Sequence, residues 1–183
     1  MTLQDLSHKL AMLMALTRPS TSADLVSLDI NRRTYSSEWV TFLLAVLAKQ
    51  LQQQKHGMEF FFPSYTVDGL LCPVVTLREY ECHTKALRGP YSNLFLGVTK
   101  PHTPVSSTIA RWLKTQLGKA GVNMEIVKAH SVRSAVTSAA AAAGITTNDI
   151  LKAADWSNKM VFQKFYHKPI SNNPLGAAVI SSE

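Results

Sequence analysis

The chain has 183 residues, of which 46% are hydrophobic and 17% charged, with a formal net charge of +7. That is enough apolar material for one core and too little charge for a disordered chain. No apolar run approaches the ~20 residues that span a bilayer, and the basic surplus suits a polyanion such as DNA, although such a surplus alone is a weak signal.

The opening "MTLQDLSHKLAMLMAL" carries an acid and no cleavage-site pattern, so it reads as a helix and not as a signal peptide. Leu3 to Thr17 fits an amphipathic helix with Leu6, Leu10, Leu13, Met14 and Leu16 inward. Pro19 interrupts it. Ser22 to Leu28 is a short helix, with Asp24 placed to cap it or to orient its neighbours. Val40 to Lys49 fits a strand or hairpin, and "LLAVLAKQLQQQ" scores equally well as helix. Glu59 to Phe62 is a strand ended by Pro63, and Pro73 opens a helix that Gly89-Pro90 stops.

Asn93 to Val98 reads as a strand. Pro104 to Gly118 is a helix with Ile109, Trp112, Leu113 and Leu117 on one face, and Gly121 ends its tail. Ser131 to Ala143 is a long Ala-rich helix, closed by Gly144. Thr147 with Asp149 starts a helix through Ala154 in the manner of an N-cap. Asn158 to Tyr166 is a further short helix, and the tail beyond Pro169 fits a loose arm or a short segment docked elsewhere. The sum is mostly helix with a small antiparallel sheet early on. Cys72 and Cys82 fit neither a disulfide framework nor a zinc spacing, and are expected to be reduced, mostly buried thiols of an intracellular protein.

The chemistry concentrates late. His130 and Arg133 stand three apart at a helix start and therefore share a face. An arginine fork matches a phosphate; a histidine moves protons near neutral pH. Tyr166 stands ten residues beyond Trp156. A tyrosine hydroxyl is a covalent nucleophile when cations favour its phenolate, because its free pKa is about 10. Neither a phosphate-cradling Gly-rich loop nor a carboxylate-rich metal cluster is present in the sequence, so no cofactor and no metal is expected.

The stretches "VKAHSVRSAVTSAAAAAG" and "ILKAADWSNKMVFQKFYHKP" resemble the catalytic domain of the tyrosine recombinases, the class of phage integrases, Xer proteins and Cre. The likeness is nearest to recombinases of DIRS-like and Crypton-like eukaryotic mobile elements, and it runs from Leu3 to Pro169. It implies an α+β, mainly helical catalytic domain over residues 1–169 and a tail over 170–183. It also implies that the DNA-binding domain which usually precedes such a domain is absent, the chain beginning near where the catalytic domain would begin. The activity implied is cutting and rejoining of double-stranded DNA through a 3′-phosphotyrosyl link, by a homotetramer on DNA that is a monomer when free, without a membrane. The location implied is intracellular, and nuclear if the host is eukaryotic.

The resemblance assigns the residues as follows. Tyr166 is the nucleophile, Arg133 the phosphate clamp, and His130 the proton carrier. Trp156 fills the position that holds His or Trp in the family, where its indole N–H donates to a phosphate oxygen. Lys49, with Lys55 as rival, is the hairpin lysine that protonates the leaving 5′ oxygen. One departure stands out. The family's first arginine lies in a pattern like Arg-x-Ser-Glu/Asp-Leu, and here Thr21-Ser22-Ala23-Asp24-Leu25 puts Thr21 in its place. Arg18, three residues earlier, is the candidate substitute. Two outcomes stay open: an impaired recombinase, or an inactive, domesticated or degenerate DNA-binding module.

Overall fold

The computed structural model describes residues 1–44, 59–97, 102–122 and 130–154, with side chains of the last segment described from Val132. The chain divides into two compact units, Met1–Arg133 and Ser134–Glu183. Among the described residues no helix is long and apolar enough to cross a membrane.

In the first unit, α1 (Leu3–Thr17) is capped by Thr2, whose side chain accepts from the Asp5 N–H at 3.1 Å. Leu6, Leu10, Leu13 and Met14 are buried, as expected, and α1 packs against α3 (Pro73–Thr84) and α4 (Ser106–Lys119). Leu16 is a correction, being 49% exposed. The buried arc turns toward Ala11 and Ala15, both fully buried, and so away from Leu16. Helix α2 (Ser22–Val26) follows, with Leu25 and Leu28 buried.

The sheet is three antiparallel strands in the order β1 (Arg33–Tyr35), β2 (Trp39–Leu43), β3 (Glu59–Pro63). Strand β2 covers Val40 to Leu43 as expected; most of the "LLAVLAKQLQQQ" stretch, within residues 45–58 and with Lys49 and Lys55, lies outside the described residues. Val40 pairs with Phe62 and Phe42 with Phe60, so the period of two sends all four inward. Phe42 and Phe62 meet edge to face at 6.1 Å. Burial of each such ring stabilises the fold by about 1.5–3 kcal/mol. A bidentate ion pair ties β1 to α3: Arg33 Nη2 donates to Glu81 Oε2 at 2.8 Å, and Nε lies 2.7 Å from Oε1.

Helix α3 opens on Pro73 as expected and continues as a 3-10 turn over Lys85–Leu87 before Gly89, at φ 51°, reverses the chain. Cys72 precedes it, buried and free, its sulfur accepting from the Tyr65 N–H at 3.3 Å; Cys82 is free but exposed, against expectation, because it lies on the solvent side of α3. The expected strand at Asn93 to Val98 does not form in its described part. Leu94, Phe95 and Leu96 are buried, but only one bridge, Asp29 to Asn93, resembles sheet pairing. Side chains take several of the backbone groups, beside the bond from Leu94 N–H to Leu28 O at 2.7 Å. Arg88 donates to Asn93 O at 2.7 Å, to Leu94 O at 3.0 Å and to Thr84 Oγ1 at 2.9 Å, and Leu96 N–H donates to the Tyr80 hydroxyl at 3.0 Å.

Helix α4 buries Ile109, Trp112 and Leu113 as expected, with Leu117 only half-buried. The Trp112 ring lies 5.3 Å from His8 and 6.0 Å from Phe95. Gly121, at φ 80°, ends the tail.

Helix α5 (His130–Ala142) starts in the first unit and runs into the second. Its Ala-rich body ends at Gly144, where φ 85° suits a residue without Cβ, and Ile145 N–H returns to Ala140 O at 3.0 Å. Helix α6 (Thr147–Ala153) is capped one residue before the expected Thr147. Thr146 Oγ1 accepts from Asp149 N–H at 3.2 Å and donates to Asp149 Oδ2 at 2.6 Å. Ile150 and Ala154 are buried.

Candidate active site

Arg133 sits on the first turn of α5, three residues after His130. Its side chain is 11% exposed, and burying a guanidinium so far demands negative charge nearby. Asp24 of α2 supplies some of it, with Oδ2 at 3.9 Å from Arg133 Nη1. That is an ion contact, longer than the ~2.7–2.9 Å of a charge-assisted hydrogen bond.

The same carboxylate is held from the other side. Thr21 N–H donates to Asp24 Oδ2 at 2.6 Å, and Asp24 N–H donates to Thr21 Oγ1 at 3.1 Å. This reciprocal pair is a capping box, and it supplies two orphan donors at the start of α2 with partners. Asp24 therefore caps the helix, one of the two roles expected of it, and lies beside Arg133. The Thr21 side chain is spent on that cap.

Arg18 lies at the end of α1, where its N–H returns to Met14 O at 3.2 Å and Pro19 forbids continuation. Its guanidinium is 3.8 Å from the centre of the Phe60 ring, and the residue is 8% exposed. The ring offers the negative face of its quadrupole to the cation. Sequence reasoning missed this seat, although the alternation in "EFFFP" already put Phe60 and Phe62 on one side of β3.

Two of the described tyrosines, Tyr35 and Tyr80, are poor nucleophiles. Burial, with the Glu81 carboxylate nearby, pushes the Tyr35 phenol up to about 12. Its ring lies beneath Arg78 at 4.6 Å and Arg33 at 5.4 Å. Tyr80 is fully buried, and burial raises its pKa too. Neither forms a phenolate easily near neutral pH. Trp156 and Tyr166 lie outside the described residues, as does the side chain of His130. On α4, Arg111, Lys114 and Lys119 are exposed, and Lys119 pairs with Asp5 at 3.5 Å; Lys100 lies outside the described residues. Among the described residues no cluster of His, Cys, Asp or Glu could hold a metal ion.

No protein-family model matches the sequence, and no curated protein matches it significantly. Solved structures do. XerH site-specific recombinase, in a pre-cleavage complex bound to difH substrate, aligns with a TM-score of 0.71 at 13% identity, covering 100% of this chain and 47% of its own. Its post-cleavage complex on palindromic difH gives 0.72 at 14% identity, with 100% and 48% covered. XerA recombinase gives 0.66 at 14% identity, covering 97% of this chain and 59% of its own. This chain has the tyrosine recombinase catalytic-domain fold. It spans about half the length of the XerH recombinase it matches. At such low identity the recombinase likeness speaks for architecture: mainly helical, with a small antiparallel sheet.

Proposed function

We propose that the chain is the catalytic domain of a site-specific DNA recombinase. The carrying observation is the guanidinium of Arg133, nearly buried on the first turn of α5 in a recombinase fold and set against an acid. In this reading Tyr166 attacks a phosphodiester of double-stranded DNA, forms a 3′-phosphotyrosyl bond and releases a 5′ hydroxyl. Arg133 stabilises the charge of the five-coordinate transition state. His130 moves the nucleophile's proton, Trp156 donates its indole N–H to a phosphate oxygen, and Lys49 protonates the leaving oxygen. A 5′ hydroxyl of another strand then attacks in reverse, so the bond energy is kept. Neither ATP nor a metal takes part. The catalytic domain spans residues 1–169 with a tail over 170–183. It works as a homotetramer on DNA and is related to DIRS-like or Crypton-like mobile-element recombinases acting in the nucleus.

A second reading, a DNA-binding module without cleavage, is favoured by Thr21, which stands where the resemblance puts an arginine and is spent on a cap. One experiment separates the two. The purified chain is incubated with a pool of nicked duplexes randomised around the nick, and denaturant-stable protein–DNA adducts are counted. The first reading expects an adduct mapped by mass spectrometry to Tyr166 and lost in Tyr166→Phe. Salt-sensitive DNA binding without any adduct selects the second reading.

A further inference from the structure

The residue standing in the arginine's place has a role of its own. We propose that Thr21 is a positioning residue for Arg133: by capping α2 it fixes the Asp24 carboxylate, and that carboxylate orients the guanidinium. The inference rests on reading Arg133 as the phosphate clamp.

Three contacts form the relay: two meet at the Asp24 carboxylate, and the third ties the Asp24 N–H to the Thr21 hydroxyl. Thr21 N–H reaches Asp24 Oδ2 at 2.6 Å, Asp24 N–H reaches Thr21 Oγ1 at 3.1 Å, and Arg133 Nη1 stands 3.9 Å from that same Oδ2. Helix α2 has five residues. A helix that short cannot hold itself, since nucleation is costly and few propagating bonds repay it. Its geometry depends on the cap at one end and on buried Leu25 and Leu28 at the other. Asp24 lies on the first turn, the part that the cap orders. Without the Thr21 hydroxyl the Asp24 N–H loses its acceptor and the first turn loosens, so the backbone that carries both the Asp24 carboxylate and the Thr21 N–H holding it is no longer fixed. Arg133 then samples orientations that do not present its fork to a phosphate.

Helix α6 provides a control cap: Thr146 Oγ1 accepts from the Asp149 N–H as Thr21 Oγ1 does from the Asp24 N–H, although there the Thr146 hydroxyl, not its backbone N–H, reaches the carboxylate. Thr146→Ala removes a cap of the same kind on a different helix. The test compares Thr21→Ala, Thr21→Ser and Thr146→Ala in the full chain. The first readout is the Arg133 side-chain Nε–H signal by NMR, assigned by its disappearance in Arg133→Lys. The second is adduct formation on the nicked duplexes, resolved into KM and kcat.

Thr21→Ala is expected to shift and broaden the Arg133 signal and to lower kcat about fivefold at unchanged KM, the rate equivalent of a lost cap. Thr21→Ser is expected to restore both. Thr146→Ala is expected to lower Tm by a similar amount and to leave the signal and kcat alone. If Thr21→Ala and Thr146→Ala act alike on both readouts, Thr21 is merely structural and the proposal is overturned. If no variant or parent forms an adduct while the Arg133 signal still answers to Thr21, the relay stands and the recombinase reading falls.

Discussion

Arg18 and Arg133 are both largely buried guanidiniums, and their described neighbours differ. Arg18 lies on the Phe60 ring; Arg133 lies beside the Asp24 carboxylate. A ring face attracts a cation without neutralising it, and it also packs against the flat guanidinium by dispersion. A carboxylate neutralises the charge and is the same kind of planar oxygen partner as a phosphate. The first setting fixes an arginine as part of the core and joins the end of α1 to β3. The second is the setting that the proposed function needs, an arginine able to exchange one anion for another. Buried charge alone thus says little about function, and the chemistry of the seat says more.

Substitutions can break this contrast. The largest effect is expected from Arg133→Ala, which in the proposed function removes the group that meets the transition-state charge. Adduct formation on nicked duplexes should fall about 10²–10³-fold, the usual loss for one such donor. Arg18→Met keeps the length and packing of the side chain and removes the charge. It should lower unfolding free energy in denaturant titration by about 1–2 kcal/mol, the range of a partly desolvated cation on a ring, and leave the adduct rate within about twofold once corrected for folded fraction. Should Arg18→Met instead cut the rate as deeply as Arg133→Ala, Arg18 is a second phosphate clamp and the contrast collapses.

The smallest effect lies between α1 and α4, where a histidine is buried. His8 is 5% exposed, stacks on Trp112, and its Nδ1 faces Gln116 Nε2 at 3.3 Å. Burial lowers its pKa, and the Lys119 ammonium adds to that, against a weaker pull from Asp5. The folded protein therefore holds His8 neutral, whereas the unfolded chain protonates it near the ordinary value of about 6.5. The contribution to stability is complete above that value and is lost as pH falls through the lowered folded value. Melting temperature should decline between pH 7 and pH 5, and His8→Phe, which keeps a ring on Trp112, should flatten that slope.

Much of the frame was legible in the residues. Helix α1 announced itself by its period and α3 by Pro73. The Ala-rich stretch before Gly144 gave α5. Those signals are local, and local propensity with a stop residue is enough. What escaped was decided by distant contacts. Strand β1 is three residues long and two of them, Arg33 and Thr34, are polar, so no period could show. The Asn93 to Leu96 stretch has the composition of a strand but finds its bonds in Arg88, Tyr80 and Leu28. At the candidate site the order of motifs picked out Arg133 and flagged Asp24. No spacing in the sequence could join residue 24 to residue 133, because that contact depends on how α2 and the start of α5 fold together.

The Arg88 latch has a consequence for how this part of the molecule can vary. A strand shares its hydrogen bonds among many backbone positions, so no single side chain is indispensable. Here two side chains, Arg88 and Tyr80, hold three backbone groups between Asn93 and Leu96. Mutational tolerance should accordingly be uneven, with the burden falling on the two residues that grip and apolar exchange permitted along the segment they grip.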